Sequence, residues 1–477
     1  MIKSDFLIIG GSAAGTTAAE VIRSLKPDAS ITIITDEDHE EYSRVLIPHY
    51  IRGKVTREQV FLKKPEWYAE HKIELVKGVR VESLESESRR VRVSSGEEIE
   101  YGKLLISVGG EVIPFGASGA DLGNIFYMRT IEDADRIIKG MERAKSAVVV
   151  GGGFIGLEFA HSFKVRGIEN VTVLVMEPFL WKGKLDEDSA MVLTNTLEEN
   201  GVKILTGEEV ERFEPSSNVI LGSPSTSLRV NSAKNLNTGA KEILHSVQDD
   251  KKRNQDDNKN VGRVVTKSGK VIEADIVGIG IGIRSNLGFL DGSGIGIGRG
   301  IVTNEYLETN LPDVYAAGDC AEFKDVIFGR QHILGNWANA TSQGKVVGEN
   351  MVRSHAHLRG EPGSVQAHLE GVSEKVPFET ASSYSITFFN GSCSFIGVTD
   401  ADYADEVIKR GSVADKKMTR IFVKTIDGVR RIVGATVINN PVEVAPLTRS
   451  IKEKINVSDF KDQLSSAGFD LKSIISG

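Results

Sequence analysis

Two stretches of this chain have the spacing that brings a backbone up against a phosphate: Gly10-Gly-Ser12-Ala-Ala14-Gly15 and Gly151-Gly-Gly153-Phe154-Ile155-Gly156. In such a turn the first Gly permits the tight bend, the second lets the main chain approach a pyrophosphate, and the third lets helix and strand pack closely. The phosphates then lie at the helix N-terminus, where unpaired N–H groups point outward. Ser12 replaces the second Gly of the first copy and is small enough for close approach to survive. A carboxylate completes each copy, since Asp36 and Glu177 both fall 21 residues past the last Gly, a spacing suited to holding a ribose diol. A shift of 141 residues carries Gly10, Gly15 and Asp36 onto Gly151, Gly156 and Glu177, and this register selects Asp36 over Glu37. One such match is weak. Two in register predict two dinucleotide cradles, and two nucleotides imply transfer between them.

The elements that must hold these turns are visible around them. Phe6 to Ile9 and Ile31 to Ile34 in the first copy, with Ala147 to Val150 and Val171 to Val175 in the second, read as buried strands. A further apolar strand, Leu104 to Val108, runs into Gly109 and Gly110, and another over 274–282 also ends in Gly. Both fit crossovers between domains, so the first domain is expected to be built from two separated stretches. The predicted class is α/β, with two Rossmann-like βαβ domains and a small C-terminal α+β domain. The expected boundaries are 1–113 with 285–353 for the first domain, 114–284 for the second, inserted within it, and 378–477 for the third. Short β-rich runs at 385–389, 420–424 and 432–438, then a helix from Pro441 to about Ile455, define the last. Residues 215–261 are rich in Ser, Asn, Asp, Lys and Gln and read as a flexible surface insertion, and 354–377 read as a linker.

At 477 residues the chain is too long for one core. Its 58 basic and 66 acidic residues give a net charge of −8, which disfavours nonspecific attraction to nucleic acid or anionic membrane. No leader-like segment or membrane-length apolar run occurs, and a cytoplasmic location is the simplest expectation. The two cysteines, Cys320 and Cys393, form neither a CxxC pair nor a zinc cluster and read as packing residues. His355, His357 and His368 lack a Cys or carboxylate spaced to complete a site, so no metal is expected.

With both cradles placed, the chain resembles the FAD-dependent pyridine nucleotide-disulfide oxidoreductase superfamily over almost its whole length. Asn304 to Asp319, ending Ala-Ala-Gly318-Asp319, is similar to the second FAD motif, in which the carboxylate, here Asp319, hydrogen-bonds the ribityl chain. Gly335 to Gly344 resembles the helix whose N-terminus faces the flavin pyrimidine edge, where its dipole would stabilise reduced flavin. The resemblance implies FAD in the first cradle and a nicotinamide dinucleotide in the second. A carboxylate at Glu177 suits the bare 2′-hydroxyl of NADH and repels the 2′-phosphate of NADPH, although Lys182 and Lys184 leave room for dual use. Glu158 matches a Glu that reaches the nicotinamide and flavin region, its competing reading being a surface carboxylate. Val81, Gly109 and Gly280, with Ala14, Phe154 and Ile155, complete the candidate cofactor contacts.

Tyr42-Ser-Arg44-Val45-Leu-Ile-Pro48-His49-Tyr50 points to the branch. Thiol-bearing members carry a redox Cys at the place held here by Val45, and valine forms neither sulfenate nor mixed disulfide. The stretch is similar to the thiol-free NADH:rubredoxin and ferredoxin reductases and nitrite-reductase flavin modules. There Arg44 would neutralise FAD phosphate, and His49 falls where some relatives place a lysine near flavin N5, a packed or surface histidine being the competing reading. The implied activity is transfer of hydride from NADH to FAD and of electrons onward to a small iron-sulfur or rubredoxin-type carrier or a nitrite-reductase partner. An NADH oxidase or dehydrogenase acting on oxygen or quinone, and a non-catalytic NADH sensor, are the alternatives. A homodimer is left open. Lys416-Lys417 and Arg430-Arg431 are candidate docking charges, with solvated surface charge as the default reading. Replacing Glu177 with Arg is expected to shift preference toward NADPH, and an unchanged ratio of NADPH to NADH turnover would remove the specificity argument.

Overall fold

The computed structural model describes residues 2–216, 260–325, 327, 329–353, 374–381 and 383–475. The expected insertion and linker, with the linker's three histidines, lie almost wholly outside the described residues. The chain divides into two units, Met1–Val112 with Ile283–Gly477, and Ile113–Gly282.

In the first unit the strand Ile2–Ile9 lies between Ile31–Ile34 and Glu98–Ile106, all parallel, with Ile73–Val76 beyond Ile31–Ile34. Val314–Ala316 pairs in parallel with the second half of Glu98–Ile106, while the antiparallel hairpin Val81–Glu85 and Arg90–Val93 pairs with its first half. The apolar runs are continuous because both sheet faces are covered. Leu7, Ile8, Ile33, Leu104 and Leu105 are all fully buried. One cover is a helix pair, Ala13–Leu25 and Trp337–Arg353. They approach closely because Gly344 and Gly348 carry no Cβ. A methyl there would stand 2.5 Å from the Ala14 carbonyl and 2.9 Å from that of Ala18.

The same unit includes an antiparallel sheet in the spatial order Ser383–Phe388, Gly391–Gly397, Val429–Ile438, Lys417–Ile426 and Glu406–Ser412. Its strands outrun the apolar stretches that announce them, because backbone pairing continues through polar residues such as Arg430 and Arg431. The expected helix after Pro441 is a 3-10 turn, Pro441–Glu443, followed by an α-helix, Val444–Lys452, which ends just before Lys454 at φ +53°.

The second unit repeats the design. Its parallel order is Val202–Thr206, Asn170–Val175, Ser146–Val150, Ile276–Ile279 and Ile125–Tyr127. The helices Ile131–Met141, Phe154–Val165 and Glu187–Glu199 belong to it, with a separate antiparallel trio, Val210–Pro215, Val261–Thr266 and Val271–Glu273. In each unit the first strand of the glycine turn lies at the reversal of strand order, where α/β sheets open a crevice beyond their carboxyl ends. The chain is therefore α/β with two Rossmann-like units. Among the described residues no helix is long and apolar enough to cross a membrane.

One core position of the first unit is a lysine. Lys103 is fully buried in the central sheet and donates to the carbonyl of Met351, in the last turn of Trp337–Arg353. Burial pulls its pKa down to about 8, against the opposing pull of Asp313. The native state then binds fewer protons than the unfolded chain from about pH 8 to 10.5, so stability rises with pH in that window. The effect is at most roughly 3 kcal/mol. Thermal melts of wild type should therefore climb between about pH 8 and 9.5, and Lys103→Met should flatten that rise while raising the melting temperature at neutral pH.

Candidate functional site

In the first cradle, Gly10 adopts φ +110°, and a Cβ there would stand 2.2 Å from the carbonyl oxygen of Ser107, just past the strand Glu98–Ile106. A Cβ on Gly15 would stand 2.0 Å from the Gly10 carbonyl and 2.8 Å from Ser107 Oγ. Both positions are restricted to Gly by the fold itself. Ser12 is the N-cap of Ala13–Leu25, yet its side chain makes no capping bond. Ala14 is buried, its methyl 3.5 Å from where a Cβ on Gly318 would lie.

The second cradle repeats this geometry. Gly151 has φ +99°, a Cβ there would stand 2.6 Å from the Gly280 carbonyl, and one on Gly156 would stand 1.9 Å from the Gly151 carbonyl. Gly280 immediately follows Ile276–Ile279, as Ser107 follows its own strand. At Gly153 the nearest atom to a Cβ is 3.6 Å away, so the fold leaves the space at this position open. Gly153 caps Phe154–Val165 without a side-chain bond. Elsewhere in the unit, Thr130 closes a capping box and Asp186 accepts from Ser189. The two glycine turns thus start helices whose first N–H groups receive no side-chain cap, which fits a pyrophosphate at each.

The acids sit at matching places, two residues past the strands Ile31–Ile34 and Asn170–Val175. Asp36 is exposed and paired with Arg80 at 2.8 Å. Neighbouring Glu37 is turned to Arg44 and accepts from the Tyr42 hydroxyl. Glu177 is exposed beside Met176. Ile155 is 36% exposed, and Phe154 leans on Trp181 with ring centroids 4.8 Å apart. Glu158 is half-buried on Phe154–Val165.

Among the remaining first-unit candidates, Arg44 faces Tyr42, Glu37 and Asp319. Burial opposes its charge, but Tyr42, Glu37 and Asp319 outweigh burial and raise its pKa further. Arg44 is therefore a cation shared among protein groups, including the Asp319 expected to reach the ribityl chain. Gly318 donates its N–H to Gln343 Oε1 at 2.6 Å, while Gln343 Nε2 is buried with no partner in the structure, a donor that fits a polar cofactor edge. Val81 is buried at a register shift of its hairpin, and Gly109 accepts from Ser285. His49 lies on the short helix Ile47–Ile51, and burial, with Arg52 and Lys54, lowers its pKa, so it is neutral near pH 7. Val45 is 55% exposed. Cys320 and Cys393 are buried, and burial pushes the Cys320 thiol up to about 12. Among the docking candidates, Arg430 is engaged by Glu406.

Three contributors escaped the sequence reading: Ser107, Gln343 and Trp181. Ser107 and Gln343 lie inside stretches already marked by the strand end and the Gly335–Gly344 segment, but nothing in their spacing names them. Trp181 carries no motif at all.

Substitution tests these cradles directly. Gly15→Ala should purify largely without flavin, and Gly156→Ala should keep flavin but weaken NADH binding about tenfold or more, the effect of roughly 1–3 kcal/mol of overpacking. Gly153→Ser, which copies Ser12, should bind NADH nearly as wild type. Flavin absorbance and NADH titration distinguish the three.

Comparison with known proteins agrees with this geometry. The family model described as pyridine nucleotide-disulphide oxidoreductase matches residues 4–233 and 237–344. The NADH oxidase of Methanocaldococcus jannaschii is 31% identical over 354 residues, covering 72% of this chain and 69% of the relative. The nitrite reductase [NAD(P)H] of Bacillus subtilis is 29% identical over 330 residues, 69% of this chain but only 36% of the relative's length. The crystal structure of a covalent putidaredoxin reductase–putidaredoxin complex shares the fold, with TM-score 0.80, 23% identity and coverage of 100% and 99% of the two chains. The chain belongs to the pyridine nucleotide-disulphide oxidoreductase family, whose members are flavin-dependent and use FAD with NAD(P)H.

Proposed function

We propose that this chain is an NADH-dependent reductase whose flavin passes electrons to a separate carrier protein of the rubredoxin or ferredoxin kind, or to a nitrite-reductase partner. The observation that supports this is the lack of a usable thiol. Val45 stands exposed where thiol-bearing relatives would carry one, and both cysteines are buried, Cys320 with its pKa near 12. A buried thiol held protonated is a poor nucleophile. Disulfide and peroxide substrates are thereby disfavoured, leaving an acceptor that takes electrons without a protein sulfur.

In this reading the Gly10–Gly15 turn, Ser12, Asp36, Arg44 and Asp319 hold FAD, and the Gly151–Gly156 turn with Glu177 holds NADH. When bound, FAD takes up two electrons from a reduced nicotinamide and releases them singly, which suits a one-electron carrier. The chain contributes alignment and electrostatics. Uncapped helix starts meet phosphates. Arg44 supplies fixed positive charge that its neighbours prevent from being lost, and His49, held neutral, offers one N–H and one acceptor nitrogen without adding charge. Glu177 disfavours a 2′-phosphate, and Glu158 is the candidate group on the helix behind the second turn.

The deciding experiment is anaerobic reduction of the purified flavoprotein by NADH, followed by rubredoxin, ferredoxin, quinone and oxygen in parallel. Bleaching of the flavin and turnover at least about tenfold faster with a protein carrier than with oxygen is the expected result. Rapid turnover with oxygen alone would sink the carrier reading and favour the oxidase alternative, to which the NADH oxidase relative lends support. Absence of bleaching would leave an NADH sensor.

A further inference from the structure

The carbonyls of the three glycines that open the second turn each meet a different group. The Gly151 carbonyl is pressed against Gly156, and the Gly153 carbonyl accepts from the Leu157 N–H at 3.0 Å. The Gly152 carbonyl accepts from the indole N–H of Trp181 at 2.6 Å, across 29 residues of sequence.

Trp181 occupies that place against its own backbone preference. It has φ +57°, a left-handed conformation unusual for a bulky residue, in a turn where the N–H groups of Lys184 and Leu185 both return to its carbonyl. Gly183, in the same turn at φ +93°, meets nothing within 4 Å where a Cβ would be, so Gly serves where conformation alone matters. At 181 a side chain is present and makes contacts of its own. Its ring lies on Phe154, with Lys184 Nζ 5.7 Å from the Phe154 centroid, and the preceding Leu180 stands 2.7 Å from where a Cβ on Gly152 would be. Strained residues retained in this way gather at ligand clamps.

The first cradle shows what this accomplishes. There the equivalent carbonyl, Gly11, accepts from Thr16 Oγ1 at 3.2 Å. The residue corresponding to Thr16 under the 141-residue shift is Leu157, which has no side-chain donor. Trp181 supplies from a distant loop the hydrogen bond that the second helix cannot supply itself.

We infer that Trp181 is a positioning residue of the second cradle, its indole N–H fixing the Gly152 peptide so that the turn presents N–H groups rather than carbonyls to the dinucleotide pyrophosphate. This rests on the second cradle being the NADH site. The test is anaerobic stopped-flow reduction of the holoenzyme by NADH, giving a Kd and a limiting rate, for wild type, Trp181→Phe and Trp181→Tyr. Both variants keep a ring against Phe154 and lose the indole donor. The Kd should rise about fivefold, the scale of one lost hydrogen bond, with the limiting rate within about twofold of wild type. A Kd within about twofold of wild type, or a limiting rate that falls while the Kd holds, would overturn the inference. Loss of flavin or of the fold in both variants would assign the indole to stability alone and overturn it too. A wild-type protein that NADH does not reduce would instead overturn the reading of the cradle on which the inference depends.

Discussion

In both units the residue that follows a strand brings its carbonyl against the place where the first glycine of the turn would carry a Cβ. Ser107 does this to Gly10 and Gly280 does it to Gly151, and the last glycine of each turn closes on the carbonyl of the first. This close approach sets the rest. It requires the closing strand to lie directly beside the first, which gives the strand order; it starts the helix within one turn of the sheet edge; and it directs carbonyls inward. What remains facing out is a set of N–H groups at an uncapped helix end, which is the chemistry of a pyrophosphate site.

The two copies meet that constraint with different residues. The first uses hydroxyls: Ser107 Oγ, on the residue after the closing strand, donates to the carbonyls of Ile9 and Gly10, and Thr16, on the turn's own helix, to that of Gly11. The second has Gly at the strand end and Leu at the helix position, and reaches to Trp181 instead. Their charge environments differ as well. The first unit concentrates fixed charge around Arg44, with Glu37, Tyr42 and Asp319, whereas Glu177 in the second stands exposed. A buried cationic hub of that kind would suit a polyanionic cofactor that stays bound. An exposed carboxylate suits a nucleotide that binds and leaves.

The family has many members that couple the same two nucleotides to a protein thiol. Here the thiols are buried and Val45 faces outward. Under the proposed function, electrons would leave from the flavin without passing through a protein sulfur. The chain matches 36% of the length of the Bacillus subtilis nitrite reductase, so a sequence of this kind also occurs as part of a longer polypeptide.

The repeat of Gly10, Gly15 and Asp36 at Gly151, Gly156 and Glu177 was legible in sequence because short-range steric demands fall on fixed offsets. So were the strands around them, since burial on both faces requires unbroken apolar runs. Ser107 and Gly280 were not legible as equivalents, because the segments between first and last strand differ in each copy and the constant offset is lost. Nothing in the sequence marks Lys103, which is fully buried, its cost lowered by the carbonyl of Met351. Trp181 looks like an ordinary loop aromatic until the turn at 181–185 swings its indole onto Gly152. The sequence by itself determined that the chain carries two dinucleotide cradles and, by their constant offset, singled out Asp36 and Glu177 as the carboxylates that go with them. Tertiary structure alone decided which groups fix the glycine turns, because a hydrogen bond between residues far apart in the chain leaves no periodicity to read.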